Sequence, residues 1–340
     1  MKKIRVEDAV GQTLCHDMTA ILETGFKGVK FHRGHVITEE DIPELKKIGK
    51  DHIFVWEPEA DEVHEDDAAT ALTEAMCGEG IVCSGPSEGK MTIKAARDGL
   101  FCLSREALRA INMVDDYTVA TIPGFIRVRK GQTLAGARIV PLVTKRRNVD
   151  AAVALARRSA PVMEVRPFLP LKAGVIITGS EVYYGRIEDA FEPIMREKLG
   201  SYGAQILGVT KCPDELEKIT DAIEEFQAQG AELLLLTGGM SVDPDDLTPT
   251  AMRANGARLI FQGVPMQPGN MLTLSKKGSM TLIGVPGASM HSKITSLDVV
   301  LPRIFAGLPV TKNEMEAAGE GGLCMNCEVC RYPACYFGRF

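Results

Sequence analysis

The sequence predicts an α/β fold in its second half, a mostly parallel sheet covered by helices on both faces, preceded by an α+β, β-rich region. Three observations carry this. From Lys172 onward, strand-length apolar runs alternate with helical patterns, the signature of a parallel sheet wrapped by crossover helices. The runs VII (175–177) and LLLL (233–236) are apolar throughout, and TLI (281–283) carries one threonine, as suits strands buried on both faces. Each run then meets a loop bearing glycine, the connection expected at the carboxyl edge of such a sheet.

The elements follow in order. Val36 to Asp41 reads as a strand end, a Thr38 cap and acids in a first helical turn; Gly49 closes that helix, and IFVW (Ile53–Trp56) is a short strand. The acidic run Glu57–Ala69 reads as a solvated connection, with His64 on its wet face, leading into a helix around Ala68–Cys77. TVATI, FIRVRK and ARIVPLVT are strands between Gly/Pro turns, and Val149–Arg158 is a helix. Pro161, Pro167 and Pro170 mark a boundary. Beyond it come the strand AGVIIT, a helix over 187–203, the strand AQILGVT, a helix from Pro213 to Gly230, the strand AELLLLTGG, and TLIGVPGAS as strand, turn and helix start. The expected divisions are 1–66, an α+β segment; 67–170, a β-rich α+β domain; 171–311, the α/β domain; and 312–340, a cysteine-rich tail.

Composition narrows the class. With 340 residues, 45% hydrophobic and 25% charged, the chain has the make-up of a globular protein of two or three domains. A net charge of −6 argues against nucleic acid as the partner. The N-terminus MKKIRVEDAV has no apolar core of a signal peptide, and the longest apolar runs have only strand length. A cytoplasmic chain with no membrane partner is expected.

The chemistry concentrates in three strand-end loops: Thr178-Gly179-Ser180-Glu181, Thr237 to Asp246, and Gly284 to Ser289. Glycine lets backbone approach a ligand, and helix starts behind such loops offer amides to anions. Together they point to a phosphate or pterin-phosphate site. Neither GxGxxG nor GxxxxGK[ST] occurs, which weakens nicotinamide and ordinary ATPase readings. Asp243, Asp245 and Asp246 are candidate Mg²⁺ ligands, Asp246 foremost; the competing reading is a helix start at Asp246 or Thr248 before Pro249. Six isolated histidines read as ordinary surface or core residues. Cys324, Cys327, Cys330 and Cys335 form C-x₂-C-x₂-C-x₄-C, a set that can enclose Zn²⁺ or ligate an iron–sulfur cluster.

The motifs TGSEVYYGRIEDAF, TGGMSVDPDDLTP, MQPGNM and GVPGAS, over about Lys172–Leu308, resemble the molybdopterin-binding domain. Molybdopterin molybdenumtransferases (molybdenum insertases), molybdopterin adenylyltransferases and competence-damage-inducible proteins share that domain. The whole chain looks like an insertase-like family from anaerobic bacteria. The resemblance implies a three-layer domain that binds molybdopterin or its adenylate, with Mg²⁺ and molybdate. It implies that Thr237, Gly238 and Gly239 hold the pterin phosphate, with Met240, Ser241 and Thr248 in the same loop. Asp246 would sit near the metal or molybdate. Thr178, Gly179, Ser180 and Glu181 would line the pocket, Gly185 and Asp189 its rim. Pro268-Gly269 and Pro286-Gly287, with Ser289, would close it. It further implies a dimer or trimer and service to a molybdenum or tungsten oxidoreductase. Two departures stand out: Ser180 replaces the Asp of the insertase TGDEL loop, and DLTP at 246–249 follows the adenylyltransferase and competence-protein pattern. The implied function is molybdenum-cofactor biosynthesis by an insertase-like enzyme. The alternatives are a cofactor carrier with a metallated tail, an adenylyltransferase and a nucleotide pyrophosphatase.

Overall fold

The computed structural model describes residues 2–21, 27–55, 59–240 and 246–339. The chain divides into two compact units, Met1–Ile122 with Val128–Val165, and Pro123–Arg127 with Arg166–Phe340.

In the first unit, strand Lys2–Arg5 pairs antiparallel with His52–Val55. Val6, Leu14, Phe31, Ile37, Leu45 and Ile53 close a small core around helix Asp41–Lys47. A second part builds on an antiparallel sheet in the order Ile81–Ser87, Lys90–Ala95, Thr133–Ile139, Tyr117–Thr121. The acidic run departs from expectation. Glu62–His64 is a strand paired with Val143–Lys145, and the following helix starts at Glu65, not near Ala68. His64 is buried rather than solvated. Its Nε2 lies 2.6 Å from the Cys15 carbonyl and its Nδ1 accepts from the Asp66 amide at 3.2 Å, capping that helix. An imidazole with a donor and an acceptor nitrogen meets both demands, which is why it can be buried.

The second unit holds β1 (Lys172–Thr178), α1 (Ser180–Tyr183), α2 (Phe191–Gly200), β2 (Gln205–Cys212), α3 (Leu216–Ala228), β3 (Leu233–Thr237), α4 (Thr248–Ala254), β4 (Arg258–Gln262), β5 (Thr273–Lys277), β6 (Met280–Val285), α5 (Ser296–Phe305) and α6 (Lys312–Glu316). The sheet runs β2-β1-β3-β6-β5-β4. β2, β1, β3 and β6 are parallel; β5 and β4 complete it antiparallel. The α/β expectation is borne out.

Side-chain alternation makes the three layers. Val175, Ile177, Leu233, Leu235, Ile283 and Val285 face Met195 and Leu199 of α2 and Leu297, Val300 and Leu301 of α5. Ile176, Leu234, Leu236 and Leu282 face Ile219, Ile223 and Phe226 of α3 and Ala251 and Met252 of α4. Each such buried side chain stabilises the fold by about 1.5–3 kcal/mol. Gly174 lets α3 approach, since a Cβ there would stand 2.5 Å from the Phe226 ring. α3 starts at Leu216, three residues later than expected, because Asp214 is engaged elsewhere.

The tail folds back onto this unit. The Gln267 amide donates to the Gly322 carbonyl and the Cys324 amide to the Gln267 carbonyl, both at 2.7 Å. Phe337 is buried in the same core as α2 and α5, and the Tyr332 hydroxyl donates to the Asp298 carbonyl at 3.0 Å.

Candidate ligand site at the carboxyl edge

The register sets Ile177 beside Thr237 and Thr237 beside Val285, so β1, β3 and β6 end level. Their loops therefore converge around a cavity of about 390 Å³. Its wall includes Thr178, Glu181, Gly238, Gly239, Met240, Asp246 and Gly287, with Asp189, Met271 and Met290.

A chain of hydroxyls holds the floor. The Thr178 Oγ1 donates to the Thr237 carbonyl at 3.1 Å and lies 3.1 Å from the Thr248 Oγ1. Thr248 Oγ1 donates to the Gly238 carbonyl at 2.9 Å, and its amide reaches the Gly239 carbonyl at 3.3 Å. The two ends of loop β3–α4 are thus tied to β1 through the Thr178 side chain. Thr178→Val should cost about 1–3 kcal/mol through the carbonyl left unpaired. Thermal unfolding checks it; an unchanged melting temperature would remove the hydroxyl chain as a support.

Gly238 and Gly239 both have positive φ, +83° and +53°. A Cβ on Gly238 would stand 2.1 Å from the Thr178 carbonyl oxygen. Glycine is therefore required by the packing of two backbones. Thr237 Oγ1 is buried with no hydrogen-bond partner among the described residues, directly beneath this loop.

The remaining expected residues sort differently. Gly179 makes the turn into α1 with φ +144°, and its amide donates to the Cys212 carbonyl at 3.2 Å. Ser180 is not among the cavity-lining residues: its amide donates to Asp214 at 2.7 Å and its Oγ accepts from the Asp214 amide at 3.2 Å. Gly269 packs on the start of α5, its carbonyl accepting from Ser296 Oγ at 2.6 Å, while the Pro268 carbonyl accepts from the Ser296 amide. Neither Pro268 nor Gly269 lines the cavity. Pro286 precedes the short turn 287–290, and buried Ser289 lies 3.3 Å from Thr295 Oγ1. Ser241, Asp243 and Asp245 lie outside the described residues. α4 starts at Thr248 with Pro249 in its first turn and no side-chain cap.

Sequence reasoning missed a neighbouring open cavity of about 720 Å³ bearing Arg186, Arg196 and Lys211. Asp189 stands between it and the first. Its Oδ1 accepts from the Phe191 amide at 2.8 Å, and its Oδ2 faces Lys211 Nζ at 3.4 Å. A basic residue directly before Cys212 was the only signal. Burial pushes the thiol of Cys212 up to about 11, away from the thiolate form.

The four tail cysteines are not assembled into a metal centre. Cys324 and Cys335 are half-buried against the core, whereas Cys327 and Cys330 are exposed. Among the described residues no group of three or more His, Cys, Asp or Glu is set to hold a metal ion. The cause is the docking: Cys324 is held by Gln267 and Cys335 by the core, while the segment between them loops outward.

The fold and this edge define an α/β domain whose strand-end loops bound a cavity, at the edge where open α/β sheets take ligands. Residues 174–306 match the family described as a probable molybdopterin binding domain, and residues 3–57 match a domain of unknown function, DUF8806. The molybdopterin-binding resemblance is thereby borne out for the second unit. The chain is 26% identical over 192 residues to a molybdopterin molybdenumtransferase of Synechococcus elongatus, covering 54% of this chain and 47% of that protein. It is 29% identical over 168 residues to a protein of the same name from Bacillus subtilis, covering 47% and 36%. A CinA-like protein of Mycobacterium sp. (strain JLS) is 34% identical over 91 residues, covering 26% and 22%. The chain thus spans less than half the length of each of these relatives. No helix among the described residues is long and apolar enough to cross a membrane.

Proposed function

We propose that the second unit binds molybdopterin or adenylyl-molybdopterin and that the chain acts in molybdenum-cofactor biosynthesis, inserting molybdate as a molybdopterin molybdenumtransferase does. The observation that carries this is the cavity itself. Glycine loops with positive φ, a buried hydroxyl chain and the carboxylates Glu181 and Asp246 meet at the carboxyl edge of the matched domain. The glycine-loop amides would take phosphate oxygens. Glu181 and Asp246 suit Mg²⁺, which uses one or two carboxylates and fills its remaining positions with water and substrate phosphate. When bound, the ion would neutralise charge at the pyrophosphate; the protein's share is positioning and electrostatics, with no protein nucleophile needed.

The test is AMP release from adenylyl-molybdopterin with molybdate and Mg²⁺, in wild type and Asp246→Ala. Release lost in the variant supports the enzyme. Binding of the pterin with no turnover in the wild type removes the insertase and leaves a carrier. The carrier is the second reading, because Ser180 is paired with Asp214 where insertases place a carboxylate. An adenylyltransferase or pyrophosphatase would show instead as ATP-dependent adenylylation or as nucleotide hydrolysis.

The C-x₂-C-x₂-C-x₄-C spacing of the tail supports a Zn²⁺ or iron–sulfur site, which would require exposed Cys327 and Cys330 to close onto Cys324 and Cys335. Protein purified anaerobically is expected to carry close to one zinc or one cluster per chain, lost in Cys327→Ser/Cys330→Ser; metal-free protein with an intact tail refutes it. A dimer or trimer, a cytoplasmic location and delivery to a molybdenum or tungsten oxidoreductase belong to the same proposal.

A further inference from the structure

The first unit holds two free thiols in contact: the Sγ atoms of Cys77 and Cys83 are 3.8 Å apart. Cys77 ends helix Glu65–Met76, and Cys83 lies in the edge strand Ile81–Ser87, opposite Ile93. Backbone bonds hold both. The Cys77 amide donates to Thr73 at 3.2 Å, the Gly78 amide to Met163 at 2.8 Å, and the Ala96 amide to Gly80 at 2.8 Å. Gly80, at φ +74°, turns the chain back; a Cβ there would lie 2.2 Å from the Val165 carbonyl oxygen. The pair is thus presented by ordered backbone on both sides. Cys83 is exposed and Cys77 half-buried, so one sulfur is open to a small oxidant and the other waits behind it. Their hydrogen bond holds the Cys83 thiol below its ordinary range and, with burial, raises that of Cys77.

We propose that Cys77 and Cys83 are a reversible dithiol–disulfide pair, a redox modification site in the first unit. A disulfide needs its sulfurs about 2.05 Å apart, so the contact must close by roughly 1.8 Å. The oxidant is a low-molecular-weight disulfide of the glutathione class. The Cys83 thiolate attacks one of its sulfurs, forms a mixed disulfide and releases one small thiol, which takes up a proton. Cys77 then gives up its proton and attacks the Cys83 sulfur, forming the internal bond and expelling the second small thiol. Two protein thiols are oxidised to one disulfide, and one small disulfide is reduced to two thiols. Where disulfides arise in a reducing compartment they are usually transient or sensing, which is the role assigned here.

The test uses the full reduced chain, incubated with oxidised glutathione, alkylated under denaturing conditions and mapped by mass spectrometry. The expected result is a cross-linked species joining the Cys77 and Cys83 peptides, short of two hydrogens and reversed by reduced glutathione. In Cys77→Ser the reaction should stop at a glutathione adduct on Cys83. The proposal is overturned if both residues stay alkylated, if either links to another cysteine, or if wild-type Cys83 accumulates the glutathione adduct.

Discussion

Asp246→Ala is expected to lower kcat/KM for AMP release from adenylyl-molybdopterin by about 10²–10³-fold, the range seen when one preorganised electrostatic contact is deleted. Asp246 lies on the cavity wall with Glu181, ahead of the helix that starts at Thr248. Leu247, not Asp246, holds the N-cap position of α4. In the proposed reaction its carboxylate would hold a hard cation against a pyrophosphate, where negative charge is spread and must be neutralised. Asp246→Asn keeps the shape and removes the charge; it should lose as much as the alanine variant. Chromatographic quantitation of AMP, with a thermal melt of each variant, is the measurement. Full release from both variants, properly folded, would end the assignment of Asp246.

Gly238→Ala should produce the largest loss of stability among changes at this edge, about 2–4 kcal/mol. Two costs coincide. The positive φ strains any side chain, and the new Cβ would meet the Thr178 carbonyl, a backbone atom at the carboxyl end of β1. Neither can be relieved by rotating a side chain. For a domain of this size that loss lowers the melting temperature by roughly 5–15 °C. Gly287→Ala is the control: it lines the same cavity, but a Cβ there meets nothing within 4 Å. It should stay within about 0.5 kcal/mol of the wild type. Equal melting temperatures for the two variants would mean that loop β3–α4 gives way and is not held by β1.

The central part of the fold was legible because its signals are local. Four consecutive leucines between Gly230 and Gly238 can be little else than a central strand, and Thr237-Gly238-Gly239 behind them marks the edge where open α/β sheets take ligands. The family motifs then placed Thr178, Glu181, Met240 and Asp246 on one pocket, and they do line it. What the sequence hid depends on partners far along the chain. Nothing local to Ser180 indicates that it bonds to Asp214 on the β2–α3 loop, which also delays the start of α3. Pro268-Gly269 looked like a pocket wall, but its carbonyls are committed to Ser296. His64 among acids looked solvated, and only the pairing of its strand with Val143–Lys145 buries it. Cysteine spacing pointed to a metal site but gave no sign that the Cys324 backbone pairs with Gln267.

That pairing separates two borders that are easily confused. The family match stops at residue 306, yet Phe337 is packed in the core between the sheet, α2 and α5. A domain excised at the family border would leave a ring-sized slot in its own interior and strip Gln267 of two backbone bonds one residue before Pro268-Gly269. The unit of homology and the unit of folding are therefore different lengths of chain, and experiments on the isolated pocket must carry the tail with it.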